Sequence, residues 1–107
     1  MDPRVSSDDL YNRIVDLKMF AENTSPGIQV TVSCPLVRTD NAHANAKLVQ
    51  LKGKLIKSAE DGLMKIIRND NITEEHLSIK GLHLKQGGTV QLAKNMIEFM
   101  KNIEQGV

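Results

Sequence analysis

Ile28-Gln29-Val30-Thr31-Val32-Ser33-Cys34-Pro35-Leu36 is the stretch whose reading decides the fold. Ile28, Val30, Val32 and Cys34 alternate with Gln29, Thr31 and Ser33, the period of an extended chain whose side chains point to opposite faces in turn. The β-branched residues suit a strand. Pro35 has no N–H to give to a ladder, so the strand should finish there, with Arg38, Thr39 and Asp40 as its exit loop.

On either side the period changes to that of helices. Upstream, Ser6, Ser7, Asp8 and Asp9 form a helix start, because a serine oxygen accepts from free backbone N–H groups and acids suit the positive end of the dipole. Leu10, Ile14, Leu17 and Ala21 follow at helical spacing, and Asn23 to Gly27 end the helix. Downstream, Asp40 or Asn41 caps a long helix reaching about Glu60. Its buried stripe is Leu48, Leu51, Leu55 and Ala59, widened by Val49 and Ile56. Gly62 stands where a helix needs a left-handed residue after its end.

Leu63 to Ile67 reads as a second strand, and Asn69-Asp70-Asn71 as a turn. Ile72 to Gly88 is loop-like, with one helical turn near Glu74. Thr89 is expected to cap a last helix carrying Leu92, Ala93, Met96, Phe99, Met100 and Ile103. Its methionines suit an adaptable partner surface, although at this spacing plain core explains them better. Strands joined by helices imply a parallel sheet with right-handed crossovers. Parallel strands are normally buried among others, so two of them read as the second half of a larger doubly wound domain.

The composition fits one globular domain over residues 1–107: 40% hydrophobic, 25% charged. A net charge of +1 and three aromatics offer neither the charge nor the stacking platform for nucleic acid. Lys47, Lys54 and Lys57 read as a solvated helix face. A single cysteine, Cys34, allows no internal disulfide and points to a reducing compartment. Met1-Asp2-Pro3-Arg4 lacks the apolar region of a signal peptide, and no run is long enough for a membrane span, so the expected location is cytoplasmic.

His83 is the residue best suited to chemistry. It lies in Lys80-Gly81-Leu82-His83-Leu84-Lys85-Gln86-Gly87-Gly88-Thr89, ahead of an amphipathic helix. A loop at the carboxyl side of a parallel sheet is where α/β enzymes often place a general base, and imidazole takes and returns protons near neutrality. By spacing alone, a histidine bonding a loop carbonyl explains it better.

Gly81-Leu82-His83-Leu84, then Gly88-Thr89, then Leu92-Ala93 and an apolar helix, resemble the C-terminal block of the SGNH hydrolases, the GDSL-type esterases and lipases. Ile28 to Arg38 looks like a late core strand of that family with its exit, and the helix with Asn45, Leu48 and Leu51 like the helix that follows. Similar wording occurs in animal open reading frames, some linked to mobile elements. The resemblance implies a partial flavodoxin-like three-layer α/β/α sandwich with a small parallel sheet, ester or other acyl substrates, and His83 in the position of the catalytic base.

Other parts of the family's site have no match in these residues. The family's Gly-Asp-Ser nucleophile motif is absent; Ser6, Ser7, Ser25, Ser33, Ser58 and Ser78 sit at caps, in a strand, on a helix face and in loops. The oxyanion motif Gly-x-Asn-Asp is absent too. Asn69-Asp70 has no glycine two residues earlier and follows the strands it should precede. Each missing oxyanion donor would cost roughly 3–4 kcal/mol of transition-state stabilisation. The family's acid lies three residues before the histidine, where this chain has Lys80, an ammonium that disfavours the imidazolium. Glu74, Glu75 or Asp70 could fold back to replace it, and some related hydrolases work with a Ser–His pair.

His43, His76 and His83 match no metal-ligand spacing, so no metal and no cofactor are expected. Cys34 reads as a small buried hydrophobe, and Gly87-Gly88 as a turn before a helix rather than a phosphate loop. The expectation is an esterase-type domain fragment, inactive alone, with an acyl-ester substrate only once missing segments complete it. Uncovered sheet edges and faces then predict a homodimer or pairing with an upstream segment. A non-catalytic interaction module and a small esterase with an atypical site are the alternatives.

Overall fold

The structure, a computed structural model, describes residues 4–78 and 83–105. Among the described residues the elements run α1 (Ser7–Thr24), β1 (Thr31–Ser33), α2 (Ala42–Glu60), β2 (Lys65–Ile67), a 3₁₀ turn (Glu74–His76) and α3 (Gln86–Gln105). β1 and β2 pair in parallel, with Thr31 opposite Lys65, Val32 opposite Ile66 and Ser33 opposite Ile67. The architecture is α/β, a partial α/β sandwich.

The helix starts form as their residues dictate. The Ser6 hydroxyl accepts from the Asp9 amide at 3.1 Å while the Asp9 carboxylate accepts from the Ser6 amide at 3.1 Å, a reciprocal capping box. The backbone hydrogen bond from Ser6, then its hydroxyl, hold the Asp9 carboxyl below the usual carboxylate range. Asn41, not Asp40, caps α2, its Oδ1 accepting from the Ala44 amide at 3.0 Å. Asp40 instead pairs with Arg38 at 2.6 Å. At the end of α2, Gly62 adopts φ 76°, its amide reaches the Ala59 carbonyl, and the Leu63 amide reaches the Ser58 carbonyl. This is a Schellman ending, and it satisfies carbonyls that the helix itself leaves free.

Both strands are shorter than the residue pattern predicts. Leu63 belongs to the Schellman turn and its side chain is exposed, so β2 begins only at Lys65. A three-residue β2 can pair with only three residues of β1. The last rung is the Cys34 amide donating to the Ile67 carbonyl at 2.8 Å, directly before Pro35. Ile28 to Val30 therefore lie outside the ladder.

The core lies between α2 and one face of the sheet, and α1 packs onto it from the side of α2. Cys34, Leu51, Leu55 and Met64 are buried, and Leu10, Tyr11, Ile14, Val15, Val32 and Ile66 pack on them. Leu55 is fully enclosed. Of the expected α2 stripe, Leu51 and Leu55 are buried, while Val49 is exposed.

The start of α3 also differs from expectation. Thr89 is no cap: its amide bonds the Lys85 carbonyl at 3.0 Å and its hydroxyl reaches back to the same carbonyl at 3.3 Å, so the helix begins at Gln86. Gly87 and Gly88 thus lie in its first turn rather than before it. Met96 and Met100 are exposed together with Val90 and Ile97, against the reading of these methionines as core. The side chain of Ile103, and Lys80, Gly81 and Leu82, lie outside the described residues.

Gly88 is buried where α3 meets the 3₁₀ turn. A Cβ there would stand 2.7 Å from the His76 carbonyl oxygen and 2.8 Å from the His76 Cβ. Backbone cannot yield as a side-chain tip does. Gly88→Ala should therefore lower stability by about 1–3 kcal/mol, the usual cost of overpacking, despite alanine's better helix propensity. Urea unfolding checks this, with Gly87→Ala, whose Cβ would meet open space, as the contrast.

Candidate functional site

His83 lies between the 3₁₀ turn and α3, and it is exposed. Leu77 and Leu84 form an antiparallel bridge, which closes the loop on which it sits. Two further bonds tie the loop base: the Ser78 amide donates to the His83 carbonyl at 2.6 Å, and the Lys85 amide to the His76 carbonyl at 2.6 Å. His76 makes the floor. Its Nδ1 accepts from the Thr73 amide at 3.0 Å, and its backbone lies against Gly88.

Among the described residues, no hydroxyl or carboxylate is hydrogen-bonded to the His83 ring. Three serine hydroxyls are bonded elsewhere. Ser7 Oγ donates to Gln50 at 3.1 Å, Ser58 shares a short hydrogen bond with the Tyr11 hydroxyl, and Ser33 Oγ accepts from Asn69 at 2.9 Å. Ser78 meets His83 through its backbone. Ser7, Tyr11 and Ser58 line a groove of about 750 Å³ between α1 and α2, with Lys54 and Lys57 beside them; His83 does not line it.

Glu74 and Glu75 are exposed on the 3₁₀ turn. Asp70 is engaged by Lys52 at 2.5 Å and Arg68 at 2.8 Å. The Lys52 hydrogen bond is the chief reason that its carboxyl sits below the usual range. A lowered folded-state pKa means that these pairs stabilise the fold above the ordinary carboxylate pKa, and that this is lost as pH falls through the lowered value. Both pairs are solvent-exposed, so the contribution is small. Cys34 is a buried free thiol, and desolvation, first of all, pushes its pKa up, which disfavours the nucleophilic thiolate. His43 is exposed, and no group of three His, Cys, Asp or Glu residues converges as a metal site among the described residues. Nor is any helix of the described residues long and apolar enough to cross a membrane.

Sequence reasoning missed the polar cluster at the carboxyl end of the sheet. Asn69, two residues after the end of β2, adopts φ 60° and is buried. Its Nδ2 donates to Ser33 Oγ and, at 3.0 Å, to the Cys34 carbonyl, while its Oδ1 accepts from Asn95 Nδ2 at 3.0 Å. Asn95 in turn exchanges hydrogen bonds with Asn71 at 2.8 and 2.9 Å and accepts from Gln91 at 3.0 Å. One signal was available: asparagine inside a helix disfavours it unless the side chain is needed elsewhere.

No family model and no curated protein matches the sequence. A solved structure does match in fold: the esterase domain of the ZfL2-1 ORF1 protein from the zebrafish ZfL2-1 retrotransposon, with a TM-score of 0.81 and 22% identity. The match covers 92% of this chain and 61% of that one. The likeness shows the α/β fold, and this chain spans less than two thirds of that structure's length.

The asparagine cluster makes a testable claim about stability. Asn69→Ala loses bonds to buried oxygens, about 1–3 kcal/mol, and leaves a side chain in left-handed backbone, about 1–2 kcal/mol more. Asn69→Gly should suffer only the first loss. A double-mutant cycle of Asn69→Ala with Asn95→Ala, read by urea unfolding, should give a coupling energy of about 0.5–3 kcal/mol; strict additivity would show that the two amides do not act together.

Proposed function

We propose that this chain is the base-carrying part of an SGNH-type esterase domain and is inactive by itself. The supporting observation is the fold it shares, over 92% of its length, with an esterase domain of which it spans 61%. His83 is the base of the completed site. The nucleophile and the oxyanion donors come from a segment carrying Gly-Asp-Ser and Gly-x-Asn-Asp, motifs that these 107 residues lack. Its substrate is then an acyl ester. The serine hydroxyl attacks the acyl carbon as the imidazole takes its proton, and the imidazolium returns that proton to the leaving alcohol. With Lys80 in the place of the acid, the imidazole has no carboxylate at that position to orient it, so a Ser–His pair fits this sequence better than a triad.

A second reading, a non-catalytic interaction module built on the same fold, draws support from Leu17, Phe20 and Leu63, which are 69%, 70% and 64% exposed. Apolar side chains of this size mark a protein partner where they join into one patch.

Purified chain and His83→Ala should turn over a short-chain aryl ester at the same rate as buffer. Fusion to an upstream segment bearing the two absent motifs should create an activity that His83→Ala lowers by about 10²–10⁴-fold. A His83-dependent rate in the unfused chain would make it a small esterase with an atypical site. A completed domain that stays inactive, alongside a defined oligomer unaffected by His83→Ala, would favour the interaction module.

A further inference from the structure

We propose that the cavity at the carboxyl end of the sheet is a pocket for a short acyl chain. That the chain belongs to an ester substrate rests on the esterase reading above; that the cavity takes such a chain does not. The cavity measures about 150 Å³ and lies where both strands end. Pro35, Leu36 and Val37, directly after the last rung of β1, line one side, and Ile72, in the turn that follows β2, lines another. Leu48 and Val49 of α2 complete the lining with apolar surface. Open α/β sheets bind ligands in the crevice outside the carboxyl ends of their strands.

The lining decides the chemistry. The side chains just named are all apolar, and the polar groups beside them are bonded already. Asn45 Oδ1 accepts from the Arg38 amide at 2.8 Å, Lys52 pairs with Asp70 at 2.5 Å, and the Asn69 amide serves the Cys34 carbonyl and Asn95. With these groups committed, the cavity favours a guest that gains by burying apolar surface. The same bonds fix the walls. Asn45 ties the segment after β1 to α2, and the Lys52–Asp70 pair ties the turn after β2 to the same helix. The Ile72 amide donates to the Asn69 carbonyl at 3.0 Å, and Ile72 itself is buried. A cavity with walls held in this way is formed before its guest arrives, which lowers the cost of binding.

Size sets the chain length. The volume is about five times the roughly 30 Å³ share of one water molecule, and a methylene is of similar size, so a chain of about four or five carbons fits. Leu48 has the spacing of the buried α2 stripe yet is only half-buried, the exposure of a side chain that borders open space.

The test is an NMR titration of the full chain with methyl esters from methyl acetate to methyl heptanoate, read on the methyl groups of Val37, Leu48 and Ile72. Each added methylene should tighten binding about three- to fourfold, the value of burying one CH₂, until the cavity is full, after which affinity should level off. Leu48→Ala should move the levelling point to longer esters. Val49→Ser, at an exposed position that the fold does not need, should weaken every ester severalfold. The proposal fails if affinity climbs steadily to the longest ester, which is adsorption to exposed apolar surface. It fails equally if Leu48→Ala leaves the levelling point unmoved, or if no ester shifts the three residues. These readouts need no turnover. Hydrolysis during the titration would count against a chain inactive by itself, and a completed domain without activity would count against the esterase reading; neither touches the pocket.

Discussion

The side-chain amide of Asn69 is the contact on which the arrangement of this molecule depends. A parallel ladder of three residues per strand supplies few hydrogen bonds, and parallel pairs are slightly weaker per residue than antiparallel ones. Left to its ladder, such a sheet would not hold its register. Asn69 turns sharply after β2, reaches across the end of β1 to the Cys34 carbonyl and Ser33 hydroxyl, and receives Asn95 from α3. Its amide thereby ties both strands and a helix together at the end of the sheet where α/β proteins carry their sites. The left-handed backbone is the local cost, and asparagine is among the few residues that tolerate it. Buried polar groups stabilise only when they are satisfied, and none of the buried side-chain polar atoms among the described residues, those of Asn69 included, lacks a partner.

The parts of the fold that were legible in the sequence are those decided by neighbours along the chain. Ser6 with Asp9, Asn41 as a cap and Gly62 after α2 each act within a few residues, so residue type and spacing sufficed. Strand length is decided between strands. The apolar alternation runs back to Ile28, but β2 cannot extend toward Leu63 because the Schellman turn takes that residue, and β1 stops pairing where its partner stops. The start of α3 was misplaced for a similar reason. Threonine is a good cap, yet Gly87 and Gly88 looked like loop only because nothing local reveals that His76 lies against the helix and tolerates no Cβ at position 88.

The site shows the same division. His83 was singled out by pattern alone, a histidine in a Gly-rich segment before an apolar helix. What the pattern could not supply is the loop's support. His76 entered only as one of three histidines without metal-ligand spacing, yet its ring accepts from the Thr73 amide and its carbonyl from the Lys85 amide. The asparagine cluster escaped because Asn69, Asn71, Gln91 and Asn95 come from two distant segments and meet only in three dimensions.

Sheet width also explains why so many apolar side chains remain outside. Adjacent strands lie about 5 Å apart, whereas a helix with its side chains is about 10 Å across. Two strands therefore offer a face roughly wide enough for one helix, and α2 takes it through Leu51 and Leu55. α1 packs chiefly against α2, and its far side, with Leu17 and Phe20, stays in solvent. On α3, Asn95 and Phe99 reach toward the end of β2 while Val90, Met96, Ile97 and Met100 are exposed. Helical amphipathicity is present on each of these elements, but two strands do not bury all of it. Each added strand would widen the face by about 5 Å, so one or two would suffice to seat α1 beside α2. Burial of α1 and α3 is thus limited by the number of paired strands and not by the apolar character of the helices.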